Sequence, residues 1–416
     1  MDILILGGGF AGFTTALSLT KFAPPDQIPN ITLFEISPEP RTRGGAVNLT
    51  PNALRLLDHL GALTVIKENR WGETINAMEV FNIYTGKIAE SSFRGPNGKG
   101  IGNPPYKALR ITRGHTLLGI MEAAEKHPNI KVVFGKKTTK IDETDEAVTL
   151  TFSDGSTAKG DILLGCDGIH SVTRLKHVEP ERKAVYSGIT NAFGYAKRPE
   201  GLEVHFECAS LNFCQRGMIL CSFFEPTHSK VYIGGLMEME EIADRDGWTA
   251  YASEQKQLKA DFADRFKGTV LPAIDPLLEA ADDFYLWPVF TLSKEGKWAT
   301  NRTMLLGDAA HAMPPQGEST GIVFEDTVLF ARCLFRWVEL GKKGTVKDAF
   351  NQYEKLRRHR IAVAYDESSK VVATVKDSGW LGHKIKMAIV PWFLWWTSGY
   401  RHKHFVEDVT TSDLGF

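Results

Sequence analysis

Apolar residues open the chain as a short run, Ile3 to Leu6, closed at once by three glycines. A short apolar run that ends in glycine predicts a buried parallel strand. Helical spacing of apolar positions follows over Phe10–Phe22 and stops at Pro24-Pro25, and a second strand is predicted over 31–36. The chain thus begins as strand, turn, helix, strand. Residues 41–52 read as a loop rich in Gly and Arg, before a helix over 53–60. Alternating positions predict strands over 75–84 and 87–91, then an exposed Gly- and Pro-rich loop over 92–105. A helix over 114–125 and strands near 131–134, Val148–Phe152 and 161–164 come next, with Asp154-Gly155 as a hairpin signal.

Helical periodicity fades between 184 and 235, where runs such as 217–224 and 230–235 are strand-like. These predict an antiparallel sheet inserted between two halves of the first domain. Strand signals return at 284–289 and 303–306, and helices are predicted over 321–339, 346–368 and 370–400. The division is a discontinuous first domain (1–183 and 284–340), an inserted sheet domain (184–283) and a helical segment (341–416). At roughly 100–200 residues per domain, 416 residues fit this count.

Composition narrows the function classes. Lys and Arg number 49 against 50 Asp and Glu, so no net charge draws the chain to nucleic acid. Five cysteines with no C-x-x-C pair argue against a disulfide framework and a zinc site. They read as buried free thiols in a reducing compartment, which with the absence of an N-terminal signal pattern predicts a cytoplasmic protein. The longest apolar run, 388–396, contains Pro391 and is too short to span a bilayer.

Gly7-Gly8-Gly9-Phe10-Ala11-Gly12 places G-x-G-x-x-G between a strand and a helix. One glycine makes the turn, the next lets backbone N–H groups approach a pyrophosphate, and the third lets helix and strand pack closely. Glu35, at the end of the second strand, is placed to accept hydrogen bonds from a ribose. The fingerprint predicts a dinucleotide and leaves NAD and FAD open. Two further strands end in Asp167-Gly168 and Gly307-Asp308. Carboxylates at such strand ends point into the ligand crevice of a parallel sheet. The loop after Asp308 carries Pro314 and Pro315 and leads into a helix bearing Glu325-Asp326.

These three motifs, in this order, resemble the single-component FAD-dependent aromatic hydroxylases of the para-hydroxybenzoate hydroxylase type, which include salicylate hydroxylases. The resemblance extends to residues 44–52 (Gly-Gly-Ala-Val-Asn-Leu-Thr-Pro-Asn), to Arg113 opening a helix, and to Trp298 with Arg302 ahead of Gly307-Asp308. It implies an α/β fold: a Rossmann-like FAD-binding domain, an inserted antiparallel β-sheet substrate domain and a helical C-terminal segment. It implies FAD bound by Gly7, Gly9, Phe10, Ala11, Gly12, Glu35, Arg43, Ala46, Arg113, Asp167, Asp308, Pro315 and Gly321. In this reading Glu35 takes the adenosine ribose, Arg113 the ribityl-phosphate region and Asp308 the ribityl chain or pyrophosphate. Asp167 serves both FAD and the nicotinamide cofactor, and Arg41 and Arg43 lie along the FAD. Ala46 and Ser319 stand where the family often has Gly.

The implied activity is a monooxygenase that uses NAD(P)H, with NADPH preferred, and O₂. It hydroxylates or epoxidises an aromatic or polyunsaturated small molecule through a flavin C4a-hydroperoxide, so no metal or triad is required. A reductase or halogenase on the same fold, or a non-catalytic FAD-binding protein, are the alternatives. Gln215, Arg216, Phe223 and Phe224 are substrate candidates from the sheet region, with Pro314 near the flavin. His311, His170 and His115 read as structural histidines, and Arg357-Arg-His-Arg360 as a solvated helix face. The cluster Trp392-Phe393 and Trp395-Trp396 reads either as a C-terminal helix or turn packed on the flavin domain or as an interfacial patch for a weak membrane-surface contact, a partner or a bulky hydrophobic substrate.

Overall fold

The computed structural model describes residues 1–242, 245–282, 284–315 and 317–416. Its first layer is a five-stranded parallel sheet in the order Thr303–Leu305, Ile162–Gly165, Asp2–Leu6, Asn30–Phe34, Ile130–Val133. Ile3, Ile5, Leu33, Leu164 and Met304 are buried, as a sheet covered on both faces requires. Helices Phe10–Phe22, Arg113–Glu125 and Ser319–Glu339 pack on it, and their apolar faces join one core. The register is decisive for function. Leu6 pairs with both Gly165 and Phe34, and Gly165 pairs with Leu305. Four strands therefore end at one level, and Gly7, Glu35, Asp167 and Asp308 all emerge at that edge.

The second layer is a seven-stranded, mainly antiparallel sheet. Val185–Lys197, Ala209–Cys214, Gly217–Ser222 and Lys230–Glu238 form its centre. Tyr285–Thr291 closes one edge. The other edge comes from Ala77–Asn82 and Gly86–Ser92, with Ala77–Asn82 parallel to Ala209–Cys214. Sheet membership thus reaches beyond the stretch 184–283 on both sides. Alternation marks those flanking runs as strands, but which sheet they join depends on pairing far along the chain. The same stretch also contains helices Arg245–Ser253, Gln255–Phe266 and Ile274–Glu279. Leu258, Phe262, Phe266 and Leu277 from these helices cover the sheet's outer face.

Helix Val346–Val375 packs on Ser319–Glu339 and runs on to the sheet, where Val372 and Val375 join Phe213 and Met218. The last helix, Trp380–Val406, continues through Pro391. It lies on the seven-stranded sheet through Met387 and Val390, and its far end meets the parallel-sheet domain, where His404 reaches Asn52 and Arg55 donates to the Phe405 carbonyl. All five cysteines are buried and free. Among the described residues no helix is long and apolar enough to cross a membrane.

Candidate flavin site

The glycine turn is built by crowding on one side and openness on the other. A Cβ at Gly12 would lie 1.9 Å from the Gly7 carbonyl oxygen. One at Gly7, whose φ is +110°, would lie 2.3 Å from the Cys166 carbonyl oxygen. These two glycines let helix and strands close together. Gly9 differs: a Cβ there would meet nothing nearer than the Arg113 guanidinium at 4.0 Å. Gly9 also caps helix Phe10–Phe22 without a side-chain hydrogen bond, so the cap leaves the first amides of Phe10 and Ala11 to a ligand. This is the shape and polarity a pyrophosphate requires.

Glu35 follows its strand directly and accepts hydrogen bonds from Gly8 N–H at 2.7 Å and Ser37 N–H at 2.9 Å. It braces the turn, and its remaining lone pairs stay available to a ribose. Arg113 opens its helix after Thr112, whose Oγ1 accepts from His115 N–H at 3.1 Å. The Arg113 guanidinium lies over the Phe10 ring and donates to the Arg41 carbonyl at 3.0 Å. Arg113 and Gly114 thereby hold the loop that carries the exposed Arg43.

Asp167 turns inward. Its oxygens accept from Ser171 Oγ at 2.5 Å, Thr173 N–H at 2.9 Å and Thr173 Oγ1 at 3.0 Å. Burial pushes its carboxyl up and these donors oppose the rise. Asp167 folds the turn at the start of a short helical stretch over 172–178, whose last part is a wide helical turn, Arg174–Val178. Arg174 is fully buried and donates to the Ile169 and Ala309 carbonyls, at 2.6 and 3.0 Å. It therefore ties the Asp167 turn to the residue after Asp308. The Asp308 carboxylate stays open at the sheet edge, and Gly307 behind it packs on Ala11. Surrounding protein pushes its carboxyl up, while His311 and Arg113 pull it down.

Gly321 lies in the first turn of Ser319–Glu339, against Thr50 and Asn52. Pro314 is buried and Pro315 half-buried in the loop ahead of that helix. Beneath the loop sits a buried charge network. Arg357 donates to Asp326 Oδ1 at 2.5 Å, Glu325 Oε2 at 2.8 Å and the Ile322 carbonyl at 2.7 Å. His311 Nε2 is 2.8 Å from Asp326 Oδ2, and Asn52 donates to Glu325 Oε1 at 2.7 Å. His311 is thus structural, as read from the sequence. The solvated-face reading of Arg357 is overturned, because helix Val346–Val375 turns that residue onto the core.

His404, from the last helix, lies 3.4 Å from Glu325 and is almost fully enclosed. Burial pushes its imidazole down to about 4, with Glu325 opposing. The unfolded chain takes up this proton near pH 6.5 and the folded protein only near pH 4, so stability is lost as pH falls through that window. The loss amounts to about 3 kcal/mol. Urea unfolding at pH 7 and at pH 4 should show it, and His404→Gln should flatten that part of the pH dependence.

The inner face of the seven-stranded sheet lies across from the glycine turn. Phe193, Phe224 and Tyr232 form a cluster joined by Tyr195, Leu220 and Ala46. Tyr195 donates to the Gly44 carbonyl at 2.8 Å, Tyr232 fills the space a Gly45 side chain would need, and Trp287 reaches Gly44. Arg110 is buried behind Tyr232, with its guanidinium 5.0 Å from the ring centre and a 2.9 Å bond to Ser222 Oγ. Burial raises both tyrosine hydroxyls, which keeps them protonated donors. These aromatics were missed by sequence reading. The period-two pattern over Val185–Lys197 sorts residues into faces without saying which face is inward.

Three substrate candidates need correction. Phe223 lies in the outer-face core, stacked 4.0 Å from His228, whereas Phe224 faces inward against Tyr195. Gln215 sits in the hairpin turn at the far end of its strand from Ser222, where its carbonyl accepts from Ser378 N–H. Arg216 pairs with Asp264 at 2.7 Å on the exposed surface.

A family model described as FAD binding domain matches residues 1–322. The chain belongs to that family. This flavoprotein is 26% identical over 402 residues to 3-hydroxybenzoate 6-hydroxylase of Klebsiella oxytoca, covering 92% of this chain and 89% of the relative. It is 25% identical over 385 residues to 6-hydroxynicotinate 3-monooxygenase of Pseudomonas fluorescens, covering 91% of each. Among solved structures, Klebsiella pneumoniae HpxO complexed with FAD and uric acid shares the fold. Its TM-score is 0.78 at 20% identity, covering 100% of this chain and 98% of that one. The flavoprotein is an FAD-dependent monooxygenase of the aromatic hydroxylase type.

Proposed function

We propose that this monooxygenase uses NADPH and O₂ to hydroxylate an aromatic small molecule held between the flavin and the aromatic inner face of the seven-stranded sheet. The carrying observation is the docking of Tyr195, Tyr232 and Trp287 onto Gly44-Gly45, which sets an aromatic wall opposite the dinucleotide turn. Bound FAD supplies hydride acceptance from NADPH and activation of O₂. The chain's own residues bind, orient and exclude water. The Phe10 and Ala11 amides, set by Gly7, Gly9 and Gly12, take the pyrophosphate; Glu35 takes the adenosine ribose. Arg113 and Arg43 would line the ribityl and adenosine path, Ala46 would stand on the side of the aromatic wall, and Asp308 would take a ribityl hydroxyl. Gly321, Pro314 and Pro315 would border the ring system. Asp167 acts by shaping the turn beside Asp308. Tyr195 donates a hydrogen bond to the Gly44 carbonyl and stays protonated, so it orients and does not act as base.

Five buried free thiols and a need for NADPH suit the cytoplasm. NADPH oxidation in air, with and without phenols, salicylates, indoles and polyketide-like phenols, tests the reading. Strong stimulation by one class, with hydroxylated product, supports it. Stimulated oxidation that yields only peroxide, or a bound flavin that NADPH cannot reduce, overturns it.

A further inference from the structure

Helix Trp380–Val406 presents the wrong chemistry to solvent. Its inward side buries His383, Met387, Val390 and Phe405. Its outward side carries Leu381, Ile385, Ile389, Trp392, Trp396 and Tyr400, spaced four, four, three, four and four apart. That spacing makes one straight stripe on a helix. At 1.5 Å per residue the stripe is about 29 Å long. Exposure runs from 36% at Tyr400 to 63% at Leu381, and Trp395 beside the stripe reaches 72%. A solvated helix face is ordinarily polar, and a contiguous apolar patch of this extent marks a contact surface.

Charge selects the occupant. The helix contains no Asp or Glu, yet it carries Lys384, Lys386, Arg401 and Lys403 in a chain of net charge -1. Lys384 and Lys403 are exposed, toward opposite ends of the stripe. A second copy packed face to face would set these cations against cations, with no carboxylate on the helix to receive them. An anionic surface complements them at both ends at once. The tryptophans and Tyr400 suit the boundary between acyl chains and headgroups, since each joins an apolar ring to a polar N–H or O–H.

We propose that the outward face of this helix docks the enzyme, lying flat, on the surface of an anionic phospholipid bilayer. The inference is independent of the substrate. Lys384 and Lys403 meet the headgroups, and the Ile and Trp side chains enter the acyl boundary, as in interfacial amphipathic helices.

The FAD-loaded full chain is floated with phosphatidylcholine vesicles, with and without phosphatidylserine. Binding is expected to the phosphatidylserine vesicles, with a blue shift of tryptophan emission and release by added salt. Trp392→Ser/Trp396→Ser should weaken binding roughly tenfold or more while the yellow colour and far-UV spectrum are kept. Lys384→Glu/Lys403→Glu, which leaves the apolar stripe intact, should abolish the preference for phosphatidylserine. Absence of flotation overturns the proposal, as does binding that neither variant changes. A dimer that the Trp variant dissociates, in protein that does not float, would assign the face to a second copy instead.

Discussion

Asp308→Ala yields a folded protein that has lost most of its yellow colour. The carboxylate stands open at the sheet edge beside Gly307, which packs on Ala11 of the glycine turn. On the proposed reading, its removal takes away a ligand contact and leaves the core intact. Gly9→Ala is the stricter companion. A methyl there meets no protein atom within 4 Å except the Arg113 guanidinium, and the Gly9 φ of −95° suits any residue. The variant should melt like the parent yet purify with little flavin, because the methyl occupies the approach to the helix amides. Gly12→Ala behaves differently: its methyl would collide with the Gly7 carbonyl, and folding itself should suffer. Visible absorbance per protein, read beside thermal melting, separates the cases. Full colour in both Asp308→Ala and Gly9→Ala would remove FAD from this edge.

Arg357→Met destabilises the fold by about 3–5 kcal/mol, the cost of leaving buried carboxylates without their cation. Arg357 is 2% exposed and bonds two carboxylates and a carbonyl. Burial pushes the Asp326 carboxyl up, and the charges of His311 and Arg357 outweigh it and hold it below the usual range. A depressed carboxylate stabilises the fold above its unfolded pKa, and the contribution is lost as pH falls through the folded value. The deficit of Arg357→Met should therefore be largest near neutrality and shrink in acid. Urea midpoints at two pH values measure this. The triple variant Arg357→Met/Glu325→Gln/Asp326→Asn should recover much of the loss, since no buried charge remains unpaired. A midpoint that Arg357→Met leaves unchanged would mean the network carries no net stability.

The network also has a positional role. It joins the loop after Asp308, the start of Ser319–Glu339, the Thr50–Asn52 segment and both C-terminal helices. These pieces surround Gly321. The Glu325-Asp326 pair was visible in the sequence, but its partners lie near residues 52, 311, 357 and 404. No local pattern links such distances, so Arg357 read as one more surface arginine.

What the chain determined by itself was the nucleotide edge. Gly7, Gly9 and Gly12, Glu35, Asp167 and Asp308 each sit within a few residues of a strand end, and their spacing from that strand is a local property. Helices Phe10–Phe22, Arg113–Glu125 and Ser319–Glu339 were legible for the same reason, since 3.6-residue periodicity is written into neighbours along the chain, whereas the three helices over 245–279 were not read. What only the tertiary structure decided was everything set by pairing at a distance. Strands 77–92 join the second sheet because Ala77–Asn82 pairs with Ala209–Cys214. Phe224 faces inward and Phe223 outward because adjacent residues near a strand end take opposite faces, and only the packed domains say which face is which. The apolar stripe of the last helix was present as spacing, but spacing marks a buried face and an exposed one alike. Packing of the opposite side, through Met387 and Val390, turned that stripe to the outside.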